Sequence, residues 1–209
     1  MILPDPRNLL ASPAIYTLFQ RVVRGKGESL YVHKHIRPQV GDRILDIGCG
    51  TGDIVRHMPE VEYVGFDMDE KLLDAARKNY GHRGKFFQRK LGTDVVTEFG
   101  AFDIVLATGI LHHLDDDEAI ELFKLAARVL KPGKRLVTLD GCYVQGQSGL
   151  ARFILSRDRG RYVREGLEYP RLASQVFKRV EHTIYNKLLR IPSSIIIMEC
   201  SKDATESGL

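Results

Sequence analysis

Ile44-Leu45-Asp46-Ile47-Gly48-Cys49-Gly50-Thr51-Gly52 is the stretch that decides the fold. Arg43 to Ile47 reads as a short buried strand, and it runs straight into a turn with three glycines in five residues. A short helix to about Met58 follows, so the unit is strand, glycine turn, helix. That unit recurs downstream with different side chains. Tyr63 to Phe66 is a second strand, and Asp69 to Tyr80 is a helix with Leu72, Leu73, Ala75 and Ala76 on one face. Lys85 to Arg89 reads as a third strand, and Phe102 to Ala107, almost wholly apolar, as a fourth buried on both faces. Asp115, Asp116, Asp117 and Glu118 place a cap and negative charge at the positive end of the next helix. Ile120, Leu122, Phe123, Ala126, Val129 and Leu130 are its core stripe, Pro132-Gly133 its stop, and Arg135 to Leu139 a fifth strand.

Alternation of this kind with short connections predicts an α/β fold: a Rossmann-like, doubly wound, mostly parallel sheet with helices on both faces. Past Gly141 the alternation lapses. Residues 143–178 read as loops and one or two helices, and then Arg179 to Asn186 and Ser194 to Cys200 as two last strands. The short link between them, with Pro192, predicts a C-terminal antiparallel hairpin. Residues 201–209 are expected to fray. Upstream, Ser12-Pro13 opens an amphipathic helix with Ile15, Leu18, Phe19, Val22 and Val23, and a second helix runs from about Glu28 to Ile36. Residues 1–40 are therefore expected to form a helical cap on a main domain of residues 41–209.

The 209 residues are 44% hydrophobic, which suits one globular unit with a real core and excludes disordered, collagenous and disulfide-scaffold classes. The net charge of +4 is a sum of opposed blocks. Residues 1–40 carry six basic and two acidic side chains, residues 41–151 carry 14 and 18, residues 152–190 carry ten and four, and residues 191–209 carry one and three. Cys49, Cys142 and Cys200 are too few and too scattered for a disulfide framework or a metal knuckle, so no metal site is expected. The first residues lack a basic region followed by an apolar run, and no stretch has the length of a membrane span. The expected location is the cytoplasm.

In an open parallel sheet the ligand crevice lies beyond the carboxyl ends of the strands, and the turn at 48–52 sits there. A dinucleotide fingerprint needs its third glycine where Asp53 stands, and a phosphate loop needs Gly-Lys-Ser/Thr, which is absent. Asp46 repels an anion and suits a cationic ligand. The glycine stretch resembles the first motif of class I S-adenosylmethionine-dependent methyltransferases. Gly65-Phe66-Asp67-Met68 resembles their second motif, Phe102-Asp103-Ile104-Val105 with Leu111-His112-His113-Leu114 the fourth, and Val129-Leu130-Lys131-Pro132-Gly133 the helix exit before the fifth strand. The resemblance covers about residues 40–140 as an ordered set, and it implies S-adenosylmethionine as cofactor and S-adenosylhomocysteine as product. It assigns cofactor contacts to Asp46, Gly48, Cys49, Gly50, Gly52, Asp67, Met68, Leu91 and Thr108. Asp67 takes the ribose hydroxyls, and Met68 either packs on adenine or fills core. One departure is the third strand: Phe86-Phe87-Gln88-Arg89-Lys90-Leu91-Gly92 offers no acid for the adenine amino group before Asp94, so backbone near Leu91 or Gly92, or Asp94 itself, is left for that contact.

Methyl transfer from a sulfonium is an in-line displacement, and a base is needed only when the nucleophile carries a proton to be lost. His112 and His113 follow the fourth strand on the crevice side and are the candidate bases; otherwise they form a loop-to-helix junction with one ring packed and one solvated. Ala107-Thr108-Gly109-Ile110 matches neither the Asn/Asp-Pro-Pro-Tyr/Phe signature of amino-methylating enzymes acting on bases nor a cysteine nucleophile, which counts against nucleic-acid bases as acceptor. Arg152, Arg157, Arg159, Arg161, Arg164 and Arg171 alternate with Phe153, Tyr162 and Tyr169 where such enzymes build the acceptor cover. With Arg21 and Arg24 of the opening helix, they suit a phosphorylated, carboxylated or nucleotide-linked small molecule, with Arg157, Arg159 and Arg161 as its ligands. The alternatives are a solvated arginine surface, an RNA methyltransferase, or a non-catalytic regulatory module. The expected function is methyl transfer to oxygen or nitrogen of a small, anionic acceptor; the oligomeric state has no signature in the sequence.

Overall fold

β1 (Arg43–Ile47) lies in the middle of a seven-stranded sheet, since its residues from Ile44 onward are buried on both faces. The structure, a computed structural model, describes residues 26–156, 160–188 and 191–203. Two helical pieces precede β1: α1 (Lys26–Leu30) and the π-helical stretch Tyr31–Ile36 that continues it. β2 (Glu62–Asp67) leads to α2 (Glu70–Tyr80), β3 (Gly84–Gln88) to α3 (Val95–Phe99), and β4 (Phe102–Thr108) to α4 (Asp116–Val129). β5 (Leu130–Gly141), α5 (Gly149–Ser156), α6 (Glu168–Ala173), β6 (Arg179–Tyr185) and β7 (Ile195–Ser201) complete the described chain.

The strand order is β3-β2-β1-β4-β5-β7-β6. The first five strands are parallel, and β7 enters antiparallel between β5 and β6, with Leu139 opposite Ile197 and Thr183 opposite Ile197 on the other side. The doubly wound sheet with its terminal antiparallel hairpin is as the alternation predicts. Period-2 alternation assigns the faces. Leu45, Ile47, Val105, Ala107 and Leu136 pack with Leu122, Phe123 and Ala126 of α4 and with Tyr169 and Leu172 of α6. Ile44, Ile104, Leu106 and Val137 pack on the other face with Tyr31, Val32, Ile36, Leu73 and Ala76. Each face buries aliphatic and aromatic side chains, each worth about 1.5–3 kcal/mol of transfer free energy.

Local signals place the helix starts. Asp69 caps α2 by accepting from Lys71 N and Leu72 N, and Asp115 and Glu118 form a reciprocal capping box on α4. The exit of α4 differs by one step from the sequence reading. Leu130 is the first residue of β5, paired with Phe102, and not the last of the helical stripe. Pro132 disfavours helical backbone at Lys131, so the chain straightens before the proline is reached. α3, five residues long, is too short to display a period and has no counterpart in the sequence reading. The opening helix expected over residues 12–25 lies outside the described residues.

Candidate active site

The chain winds from β1 through β2 to β3 on one side and from β4 to β5 on the other, so the strand order reverses between β1 and β4. The crevice at their carboxyl ends is where this class of sheet takes ligands. The glycine turn forms its floor. Gly48, Gly50 and Gly52 all have positive φ, at 72°, 55° and 67°. Gly48 N and Cys49 N both donate to Phe66 O, at 2.8 and 3.0 Å, which ties the turn to the end of β2. A Cβ on Gly50 would meet nothing within 4 Å, so this backbone faces open space; a Cβ on Gly52 would lie 2.8 Å from the Phe86 ring. The first glycine type leaves room for a ligand and the second for packing.

Asp67, at the end of β2, stands beside that open backbone. Its Oδ2 accepts from Gly50 N at 2.8 Å and its Oδ1 from Asp69 N at 2.9 Å, so both carboxylate oxygens are oriented while each keeps further acceptor capacity. Met68 follows, 55% exposed, with its carbonyl accepting from Gln88 Nε2 at 3.1 Å. Asp46 is buried below the turn and accepts from the Tyr63 hydroxyl. Burial first, and the Asp46 charge second, push the Tyr63 phenol well above its usual range, so it stays a donor to that carboxylate. Burial, followed by Asp46 and Asp67, likewise raises the Cys49 thiol, which keeps it neutral and a poor nucleophile.

Beyond β3, where the sequence reading looks for the adenine contact, Leu91 is half-buried against the core. Asp94 is exposed, with its Oδ2 held by Arg89, whose guanidinium also pairs with Glu98 and lies 5.2 Å from the Phe66 ring centroid. Thr108, at the end of β4, is half-buried, with its Oγ1 3.2 Å from the Tyr31 hydroxyl. The helical stretch before β1 therefore touches the site directly.

The far wall carries the two histidines. His112 sits in a 3-10 turn, Leu111–His113, and is buried, whereas His113 is exposed with its ring 4.2 Å away. Asp140, at the end of β5, accepts at Oδ1 from both the His112 backbone N–H, 3.2 Å, and His112 Nδ1, 2.8 Å. Burial raises the Asp140 carboxyl, and its contacts with His112 oppose the rise. A proton on Nδ1, shared with Asp140, leaves Nε2 in the acceptor form. This pair is what the sequence reading missed. The available signal was an acid at the carboxyl end of a buried strand, Thr138-Leu139-Asp140-Gly141, the same position that Asp46 and Asp67 hold on theirs.

The segment 143–178 reaches the same wall. Tyr162 N donates to His112 O at 3.0 Å, and a Cβ on Gly160 would clash with the His112 ring at 2.1 Å. Arg164 is buried rather than presented to a ligand. Its guanidinium binds Asp116 Oδ1, at 2.9 and 2.8 Å, and the carbonyls of Leu111, Leu114 and Tyr162. It thus fastens the segment to the histidine turn. Arg152 lies over the Tyr143 ring, 4.7 Å from its centroid, and Arg161 is exposed. Arg157 and Arg159 lie outside the described residues, as do Arg21 and Arg24.

Residues 44–133 match a family model described as a methyltransferase domain. The chain is similar to 27-O-demethylrifamycin SV methyltransferase of Amycolatopsis mediterranei, 32% identical over 125 residues, which are 54% of this chain and 43% of that protein. The chain spans less than half the length of the curated relatives it matches first. Among solved structures, an O-methyltransferase family protein from Burkholderia thailandensis has the same fold, with a TM-score of 0.71 at 18% identity over 97% of this chain and 62% of that one. So has Haemonchus contortus phosphoethanolamine N-methyltransferase 2, in complex with phosphomonomethylethanolamine and S-adenosylhomocysteine. Its TM-score is 0.70 at 15% identity, over 96% of this chain and 61% of that one.

Proposed function

We propose that the protein, whose residues 44–133 match a methyltransferase domain, is a class I S-adenosylmethionine-dependent methyltransferase that transfers a methyl group to an oxygen or nitrogen of a small, anionic acceptor. The observation that carries the reading is the junction of the open Gly50 backbone with the Asp67 carboxylate at the carboxyl ends of β1 and β2, beside the strand-order reversal between β1 and β4. The residues present fit the cofactor. Asp67 retains acceptor capacity for two vicinal hydroxyls, the turn has no Cβ on its open side, and Asp46 places negative charge beneath a cationic ligand.

The cofactor supplies an activated methyl group on a sulfonium. The chain's share is alignment, exclusion of water and proton handling. Gly50 would let the cofactor approach the backbone closely, with Gly48 and Gly52 holding the turn, Asp67 would fix the ribose, and Met68, Leu91 and Thr108 would line the remaining contacts. His112 would take the proton of an acceptor hydroxyl or amine, and Asp140 would hold the imidazole in the tautomer that can do so. His113, exposed beside it, is the second candidate for that proton. Residues 143–178 cover the acceptor, with Arg157, Arg159 and Arg161 as the anion's ligands. The phosphorylated ligand named for the nematode N-methyltransferase supports the anionic part of this reading, and the O-methylation implied by the name of the rifamycin relative supports oxygen as an acceptor atom.

The test is to incubate the protein and methyl-labelled S-adenosylmethionine with fractionated cell extract. Label in a small anionic product supports the proposal. Label in RNA or protein, or a product without negative charge, would overturn the acceptor class, and no transfer from any fraction would count against the activity.

A further inference from the structure

α5 is apolar on two sides. Ala151 and Leu155 are buried, with Leu155 so close to the end of β5 that a Cβ on Gly141 would lie 2.7 Å from it. Leu150 and Phe153, three residues apart and so on one outward stripe, are 58% and 55% exposed. A surface helix normally turns a polar stripe outward, so a second apolar stripe marks a contact surface. Charge surrounds it. Arg152 lies between the two, and beyond α5 Arg161 and Tyr162 are also exposed. Arg152 stacks on Tyr143, which pairs with Glu165 and accepts from Gly166 N, and Leu167, the next residue, is 70% exposed.

We propose that α5 and the Arg161–Tyr162 turn dock on the surface of an anionic lipid bilayer, with Leu150 and Phe153 inserted among the acyl chains and Arg152 and Arg161 at the phosphates. Two features select this occupant. A second copy of the chain, joined by a two-fold axis, would set these arginines against their own kind. An eight-residue helix also offers much less than the roughly 800 Å² per partner of a stable protein interface, whereas a bilayer accepts isolated apolar side chains flanked by cations. The placement has a consequence for the site. Because Tyr162 N is bonded to His112 O, docking here sets the crevice mouth at the lipid surface, and an amphiphilic acceptor could enter without crossing water. The proposal rests on the reading of residues 143–178 as the acceptor cover, with Arg161 shared between the lipid surface and the head group of an amphiphilic acceptor; it leaves the cofactor crevice untouched, so S-adenosylhomocysteine binding distinguishes its failure from that of the methyl-transfer reading.

The chain has no tryptophan, which gives a direct test. Phe153→Trp places one reporter on α5, and Val40→Trp places another on the 77% exposed turn before β1, at the opposite end of the strands. With vesicles of equimolar phosphatidylglycerol and phosphatidylcholine, the emission of the Phe153→Trp protein shifts to the blue, that of the Val40→Trp protein does not, and phosphatidylcholine vesicles produce no shift. Adding Arg152→Glu to the Phe153→Trp protein weakens the vesicle affinity about tenfold or more. S-Adenosylhomocysteine binding and the circular dichroism spectrum of each variant check that the fold is intact. No shift with anionic vesicles, equal shifts from both reporters, equal response to phosphatidylcholine alone, or an unchanged affinity with Arg152→Glu would each overturn the proposal. So would a shift induced by polyglutamate but not by vesicles, which would point to an acidic protein.

Discussion

Asp140 Oδ1 holds His112 at two points, the backbone N–H at 3.2 Å and the ring Nδ1 at 2.8 Å. Both residues stand at the carboxyl edge of the sheet, Asp140 ending β5 and His112 just beyond β4. The contact positions the imidazole, and with the proton on Nδ1 it leaves Nε2 as the acceptor that the proposed function requires.

Replacement of His112 by Ala is expected to lower kcat about 100-fold or more when the acceptor atom carries a proton, since positioned bases contribute about 10²–10⁴. Asp140→Asn, which keeps the size and loses the acceptor, should lower kcat about tenfold or more and move the basic rise of the pH–rate profile, leaving the donor KM within about twofold. Steady-state turnover of the labelled donor against pH checks both. Unchanged turnover after removal of His112 and His113 together would dispose of base catalysis.

The three glycines of the turn do different work, and alanine separates them. Gly50→Ala meets only the cost of left-handed backbone, about 1–2 kcal/mol. Gly52→Ala adds a Cβ 2.8 Å from the buried Phe86 ring, and the combined strain and overpacking should cost about 2–4 kcal/mol. Denaturant titration of the two variants gives the difference. Equal losses would contradict the packing role of Gly52.

Asp103 lies at the other end of the sheet, opposite the site. Burial would raise its carboxyl, but ion pairs with Lys131 and Lys134, at 2.6 and 3.0 Å, and a hydrogen bond from Arg43 N outweigh that and hold it at about 2 against an ordinary 3.8. A lowered carboxyl stabilises the fold at pH values above 3.8, and that contribution is lost as the pH falls through 2. Asp103→Asn should therefore cost about 1–2 kcal/mol at pH 7. Unfolding followed between pH 7 and 2 should show the gap to the native protein closing only in the acid part of that range.

Legibility followed the range of the interactions. The capping acids at 115–118 act within a few residues of themselves, and the glycine turn and Asp67 meet across one strand–helix–strand unit of fixed length, so their spacing locates the first crevice wall. The Asp140–His112 pair joins residues 28 apart whose meeting depends on β4 and β5 being neighbours, and neither side chain announces the other. Arg164 shows the reverse error. Among arginines it reads as an exposed ligand for an anion, yet its fork is consumed by Asp116 and three carbonyls. Asp94 is similar, since nothing local tells that Arg89 will claim it. The end of α4 at Val129 was blurred because Leu130 is apolar and suits either a helix stripe or a buried strand.

Calorimetric titration of S-adenosylhomocysteine into the native protein and into Asp67→Ala tests the central claim most directly. The native protein should bind one equivalent, and Asp67→Ala, folded by circular dichroism, should bind about 10–100-fold more weakly, the loss of one charged hydrogen bond of about 1.5–3 kcal/mol. Absence of binding to the native protein, or equal affinity in the variant, would contradict the assignment of the crevice between β1 and β4 as the cofactor site.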